Sequence, residues 1–362
     1  MLSRRDAICA GAALIAARST TVNAEPSQGL AAIARSRGLL YGASIASDIF
    51  RDPAYRDLYK QETAIVTTDY ALKFAALRPF SQDADFSDAD ALVNFASDAN
   101  LQVRGHALIW NDNMPSWTRA LSRREIENLF DRHIDETVSR YAGRLHSWDV
   151  VNEPIWPDHN APRGFRRGPW YDAMGPSYVR HAFRRAYAAD KKARLTLNEA
   201  FCERNDALGQ TVRRQLLGLI DELRDQDAPL HAIGFQAHLQ PQYAASDDLF
   251  VDFLHRIAER KLDIYLTELD VDDSSFDDDL ATRDRQVAER YAAFLAKALA
   301  VPAVKTVVSW QLGDKFSWYR DPAILALRKS KGLPRPLPFD ERLARKPAWA
   351  AMARAFSQRP TG

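Results

Sequence analysis

The chain has 362 residues, 46% of them hydrophobic, which is ample for a sizeable core. Its 49 basic and 48 acidic residues nearly cancel, which excludes a global electrostatic pull toward nucleic acid or anionic membrane. Two cysteines are too few for a disulfide framework or a thiolate metal site.

The first residues read as a targeting segment. Arg4 and Arg5 form a twin-arginine pair, the apolar run Ala7–Ala17 follows, and Val22-Asn23-Ala24 offers a small-residue cleavage site. The pattern predicts an export signal over residues 1–24 and a periplasmic or secreted mature protein at 25–362. The apolar run is too short for a membrane span. Cleavage would remove Cys9, Arg4, Arg5, Arg18 and Asp6, leaving Cys202 as the sole cysteine and a net charge of −1.

Beyond the signal, apolar β-branched runs alternate with amphipathic segments. The strand candidates are Leu39–Ile45, Ala64–Asp69, Leu101–Trp110, Leu145–Glu153, Arg194–Ala200, Ala232–Leu239, Asp263–Val271 and Val304–Leu312. Near-continuous apolar strands suit a parallel sheet covered on both faces. Between them, Ser122 and Glu125 have capping-box spacing ahead of the apolar face Ile126, Leu129, Phe130, Val138 and Tyr141, with Gly143 as the stop. Ser87 precedes another helix, and the same periodicity recurs at Tyr178–Ala186, Phe250–Ile257 and Val287–Leu295. Eight strand–helix alternations predict an α/β fold, a single (β/α)8 TIM barrel in one domain. The acidic run Asp270–Asp279 lacks the glycine and terminal glutamate of a calcium loop and reads mostly as a solvated loop.

Two glutamates carry the chemistry. Glu153 ends the fourth candidate strand in WDVVNEP, and Glu268 lies in the seventh in YLTELDV. In such a barrel, strand C-termini face the active site. Two carboxylates at one rim are what acid-assisted glycoside cleavage needs. A strand-end glutamate taken singly could equally be a structural ion pair. No GxSxG, HExxH, phosphate loop or GxGxxG supports another chemistry.

These motifs resemble glycoside hydrolase family 10, the endo-β-1,4-xylanases. GHALIW at 105–110, GFQAH at 234–238, SWQLGDKFSW at 309–318 and PLPFDERLARKPAWAAM at 336–352 fit it in order, so the likeness covers residues 39–356. The resemblance implies Glu153 as acid/base and Glu268 as nucleophile of a retaining double displacement. It implies Asn152 as donor to the sugar 2-hydroxyl, Gln236 beside the acid/base, and a His238–Asp270 pair orienting the nucleophile. Lys73, His106, Trp110, Trp310, Trp318, His238 and Asp69 match substrate-binding positions. Trp148, inside a strand, reads as core. The substrate implied is xylan or xylo-oligosaccharide, with no cofactor, metal or nucleic acid, and a monomer is expected.

Several positions depart from the family pattern. Asp69-Tyr70 stands where the family has Glu-Asn, which normally grips the next sugar on the non-reducing side; Asn111 and Asn113 replace His and Gln, and Asn198-Glu199-Ala200-Phe201 replaces Asn-Asp-Tyr-Asn. Arg163, Arg166 and Arg167 follow Glu153 and read either as a solvated basic loop or as cations for an acidic sugar branch. Two alternatives stand beside the xylanase: a retaining hydrolase of short or glucuronic-acid-decorated xylo-oligosaccharides, and a non-catalytic glycan-binding barrel.

Overall fold

The computed structural model describes residues 28–243, 247–328, 330 and 332–360. The expected export signal at 1–24 lies outside them. The strands are β1 (Leu40–Ile45), β2 (Ile65–Thr68), β3 (Gln102–Gly105), β4 (Ser147–Asn152), β5 (Arg194–Glu199), β6 (Ala232–Phe235), β7 (His238–Leu239), β8 (Asp263–Val271) and β9 (Val304–Ser309). All pair in parallel, in the order β6-β5-β4-β3-β2-β1-β9-β8, and the β6–β8 pairing closes the ring. These eight are the staves of the expected (β/α)8 barrel. The two-residue β7 continues β6 and pairs His238 with Asp270 and Leu239 with Val271.

Seven of the eight expected strands are shorter than their apolar runs, and two of them break off early. The run Leu101–Trp110 is regular only to Gly105, although Leu108 and Ile109 still donate to the carbonyls of Asp149 and Val150. The run Ala232–Leu239 breaks at Ala237, whose φ of 58° is left-handed and off the strand path. Hydrophobicity marks a buried segment but not where its hydrogen-bond ladder stops.

Helices cover the outside. Arg123–Arg140 carries the capping box: Ser122 Oγ accepts from Glu125 N (3.4 Å), and a Glu125 oxygen accepts from Ser122 N (2.7 Å). Its residues Ile126, Leu129, Phe130, Ile134 and Val138 are buried. Ser87 is the first residue of its helix, Ser87–Asp98, rather than a cap before it. The terminal helices Leu30–Arg35 and Pro347–Gln358 share one buried carboxylate. Glu62 accepts from Leu30 N (2.8 Å), Trp349 Nε1 (3.0 Å) and Arg345 (2.8 Å).

Trp148 is fully buried and pairs in register with Gly105 on β3. A Cβ at residue 105 would lie 2.2 Å from the indole ring. Neither a strand backbone nor a packed tryptophan yields by more than an ångström at small cost. Gly105→Ala should therefore lose roughly 1–3 kcal/mol of stability, read as a lower denaturant midpoint at unchanged slope. Wild-type stability in that variant would show that the indole has room to move.

Candidate active site

The Glu153 end of the site is built at β4. Glu153 follows the strand with φ 49°, a left-handed conformation that costs a non-glycine residue roughly 1–2 kcal/mol. Its amide donates to Asn198 O on the adjacent strand (2.9 Å), which helps hold the turn. Its carboxylate accepts from Gln236 Nε2 (2.8 Å) and from Arg166 Nη2 (2.8 Å). Arg166 Nε also donates to the Glu153 carbonyl (2.8 Å), Nη1 donates to Asp112, and the guanidinium lies 4.7 Å over the Trp156 ring.

That arrangement corrects both expectations for Arg166. Arg166 is 3% exposed and committed to the acid/base candidate. Arg163 pairs with Glu222 (2.5 Å) and Arg167 with Asp172 (3.3 Å). Arg163 and Arg167 remain exposed, as the solvated-loop reading expects, each with a surface partner, while Arg166 is buried. The reason is local: a rim carboxylate and Asp112 converge on one site and need a shared counter-charge.

The opposing end is built at β8. Glu268 is 5% exposed; Oε1 accepts from Asn198 Nδ2 (2.8 Å), and Oε2 lies 3.2 Å from His238 Nε2. Burial pushes its pKa up, but His106, His238 and Lys73 outweigh burial and pull it from 4.5 down to about 2. His238 Nδ1 is 3.0 Å from Asp270 Oδ1, a close charge contact that is out of line for a hydrogen bond. Burial would lower the imidazole, yet Asp270 and Glu268 together raise it well above its ordinary value. Asp270 is fixed by Trp318 Nε1 (2.8 Å) and Tyr319 OH (3.3 Å).

This alters the reading of the acidic run. Asp270 is strand core, and Asp273 is wholly buried, accepting from Arg328 (2.8 Å) and Arg335 N (3.0 Å). Ser275 and Asp277–Asp279 are exposed, as expected for a solvated loop.

A row of amides joins the two ends. Asn198 Nδ2 donates to both Asn152 Oδ1 (2.8 Å) and Glu268 Oε1, and Asn198 Oδ1 accepts from Thr267 (2.7 Å). Asn152 Nδ2 lies 3.4 Å from Glu153. Asn152, Gln236 and Asn198 therefore fix the spacing between the glutamates without adding charge.

Aromatic rings and one lysine form the wall. Lys73 Nζ lies 5.2 Å from the Trp110 ring and 5.7 Å from Trp310. Trp310 packs edge-on against His106 (5.4 Å) and His238 (6.2 Å), and Trp318 lies 5.1 Å from His238. His106 Nδ1 is 2.9 Å from Asp149, which Arg104 also holds (2.6 Å). Asp69 accepts from Gln311 Nε2 (2.6 Å), and burial raises its pKa. The structure thus brings every expected site residue into one cleft. Across it, Trp156 and Phe201 rings lie 5.6 Å apart, and behind them Glu199 is fully buried, accepting from Ile155 N (3.1 Å) and Ala200 N (3.0 Å). Burial first, then Glu153, raises the Glu199 pKa well above the usual range.

Sequence reasoning missed four participants: Arg166 as a partner of Glu153, Asp149 as the anchor of His106, Asn198 as the bridge and Gln311 as the holder of Asp69. Asp149 and Asn198 sit on strands, and their side-chain direction followed from period-two alternation. No local signal marks Arg166, which returns to the rim from 13 residues away. Among the described residues no group of three or more His, Cys, Asp or Glu is arranged to hold a metal ion.

The model of glycosyl hydrolase family 10 matches residues 29–355. Endo-1,4-beta-xylanase A of Caldicellulosiruptor sp. (strain Rt8B.4) is 31% identical over 300 residues, 77% of this chain but 42% of that longer protein. Endo-1,4-beta-xylanase B of Thermotoga neapolitana is 30% identical over 84% of each chain. The crystal structure of native xylanase 10B from Thermotoga maritima superposes with a TM-score of 0.81 at 28% identity, covering 91% of this chain and 98% of that one. Barrel, paired glutamates and family match agree, and the chain belongs to glycosyl hydrolase family 10.

Proposed function

We propose that the chain is a retaining endo-β-1,4-xylanase, exported and acting as a monomer on xylan. The observation that carries the reading is the unlike surroundings of the two glutamates. Glu268 is ringed by His106, His238 and Lys73, so it is ionised and suited to nucleophilic attack. Glu153 faces it across the amide row. In this reading Glu268 attacks the anomeric carbon while Glu153 gives its proton to the departing glycosidic oxygen. A covalent glycosyl-enzyme forms. Glu153 then takes a proton from water, which attacks the same carbon and releases the sugar with its β-configuration retained.

The remaining residues bind and orient. Asn152 faces the sugar 2-hydroxyl, and Trp110, Trp310 and Trp318 offer flat faces to the C–H surfaces of a pyranose. The indole N–H of Trp110 is buried without a protein partner, and a sugar hydroxyl would satisfy it. The xylanase names of the relatives, and a Thermotoga petrophila RKU-1 structure described as a complex with xylobiose, support xylose as the repeating unit.

The role assignments are tested by substitution. Glu268→Gln should lower turnover by roughly 10⁴-fold or more, on the scale of losing a nucleophile. Glu153→Ala should cost roughly 10²–10⁴-fold on xylan, yet much less on aryl xylosides with good leaving groups, because only poor leaving groups need the proton. Arg166→Met should show the same leaving-group dependence in weaker form, since the arginine positions Glu153. Equal losses on both substrate types would leave Arg166 a purely structural role, and would remove Glu153 as the acid.

The nucleophile is depressed to about 2, so its ionised form persists until the pH falls through that value. The acid limb of kcat/KM, where nucleophile ionisation sets it, should therefore lie well below pH 4.5. His238→Asn removes one of the supporting cations and should move that limb to higher pH. An unmoved limb would show that His238 does not hold the charge.

Export through residues 1–24, and a catalytic domain at 25–362, rest on the Arg4-Arg5 pair and the apolar run that follows. Cell fractionation of wild type against Arg4→Lys/Arg5→Lys should show the doubly substituted protein retained in the cytoplasm. Unchanged export would exclude the twin-arginine route.

A further inference from the structure

Outside the cleft, a groove gathers positive charge that the protein leaves largely uncompensated. It lies between the helices Ala207–Asp225 and Asp248–Ala258, and its volume is about 760 Å³. Its lining on the first helix runs from Gln210 to Asp221, about 16 Å at 1.5 Å per residue. That length suits an extended chain better than a compact ion. The loops that lead into the two helices follow β5 and β7, at the rim that carries Glu153 and Glu268. None of the lining residues belongs to the catalytic cleft.

Three guanidiniums line the groove. Arg213 is 7% exposed, and its Nη1 donates to the carbonyls of Cys202 and Arg204 (2.6 Å each), which are not charged partners. Burial lowers the Arg213 pKa, and the nearby Cys202, Glu203 and Asp206 offset that only in part. Arg214 donates to Thr211 Oγ1 (3.4 Å) on its own helix. Among the described residues, Arg213, Arg214 and Arg256 form no ion pair. Two aspartates also line the groove, but Asp221 is already held by Arg260 through Nε (2.6 Å) and Nη2 (2.8 Å). Three guanidiniums thus face one carboxylate, Asp252, that no arginine holds. A largely buried guanidinium favours a charged partner, and the arginine fork matches a carboxylate bidentately.

The apolar content of the groove narrows the ligand further. Leu217 and Phe253 are buried (6% and 3% exposed), so Leu249, at 45%, is the only large apolar side chain exposed there. An amphipathic peptide helix docks through a row of apolar anchors, and one leucine does not supply the matching surface. The charge therefore favours a polar, extended ligand that carries carboxylates. The arginines beside the cleft are committed elsewhere: Arg166 to Glu153, Arg163 to Glu222 and Arg167 to Asp172.

We propose that this groove is a second glycan-binding site, separate from the catalytic cleft, which takes the uronosyl carboxylates of an acidic xylan and so anchors the polymer. The proposal rests on the xylanase reading for the identity of the polymer.

The test reads binding apart from turnover. Affinity electrophoresis of Glu268→Gln protein compares soluble glucuronoxylan with arabinoxylan, a neutral polymer on the same backbone. Arg214→Glu/Arg256→Glu in that background should weaken glucuronoxylan binding about tenfold, equivalent to about 1.4 kcal/mol. Arabinoxylan binding should not change. The effect of the reversal should fade between about 10 mM and 1 M salt, as the Debye length falls from about 30 to about 3 Å. Arg214→Gln/Arg256→Gln gives a milder form of the same loss should the reversal fold poorly. In the active enzyme either pair should leave aryl β-xyloside hydrolysis unchanged. Arg124→Glu/Arg354→Glu makes the same charge change at exposed positions elsewhere and should leave glucuronoxylan binding intact. An equal loss from that control, an equal loss on both polymers, or binding that survives the groove substitutions overturns the proposal. Tighter binding of poly-glutamate than of glucuronoxylan, lost on the groove reversal, makes this a peptide site and overturns it too. Groove-dependent binding of glucuronoxylan without hydrolysis of any xylan by the wild type supports the groove and sinks the xylanase reading instead.

Discussion

A carboxylate that must stay charged while almost fully buried is the constraint around which this active site is arranged. Glu268 has 5% of its surface exposed, and an unpaired buried charge is costly enough that the group would neutralise instead. The site answers with opposite charge in layers. His238 stands between Glu268 and Asp270, and His106 is held by Asp149, which Arg104 also grips. Asp270 in turn needs Trp318 and Tyr319 as donors. The chain of partners runs outward through four strands before it reaches ordinary core. That depth explains why charged and polar residues such as Arg104, Asp149, Asn198 and Asp270 occupy an otherwise apolar barrel.

The Glu153 end follows a different logic. Glu153 is gripped by a neutral amide and one arginine rather than by a ring of imidazoles, and Glu199 behind it has been pushed toward its neutral form by burial. The same fold thus gives two glutamates separate environments, as the proposed division into acid and nucleophile requires. Backbone strain gathers at the same rim. Glu153, Phe201, Ala237 and Gln311 all have positive φ, and they follow β4, β5, β6 and β9. Left-handed residues of this kind persist where surrounding contacts over-determine them, and they turn the chain sharply at the point where side chains must face the ligand.

Positions that depart from the family pattern have been put to structural use. Asn111 accepts from the amides of Trp170 and Tyr171 and so caps the helix Pro169–Met174, and Asn113 accepts from Ala75 N. Asp69 accepts from the Gln311 amide nitrogen, and the Gln311 side-chain oxygen accepts from Tyr55 and Tyr59. At Tyr70 the change does the reverse: a ring is released into solvent.

The sequence by itself determined the barrel and the two glutamates, while the aromatic wall came from the likeness of its motifs to the family. Barrel and glutamates depend on local patterns: strand-length apolar runs, helical periodicity with its caps, and carboxylates at strand ends. Trp148 was legible as core for the same reason. Tertiary structure alone decided the meaning of residues whose partners are distant in the chain. Arg166 looked like a surface cation because nothing near it in sequence shows that Glu153 and Asp112 converge on it. Asp273 looked solvated because its partners Arg328 and Arg335 lie 55 and 62 residues on. Periodicity records which face of an element is apolar. Which charges meet depends on loops crossing the barrel mouth, and that geometry exists only once the ring is closed.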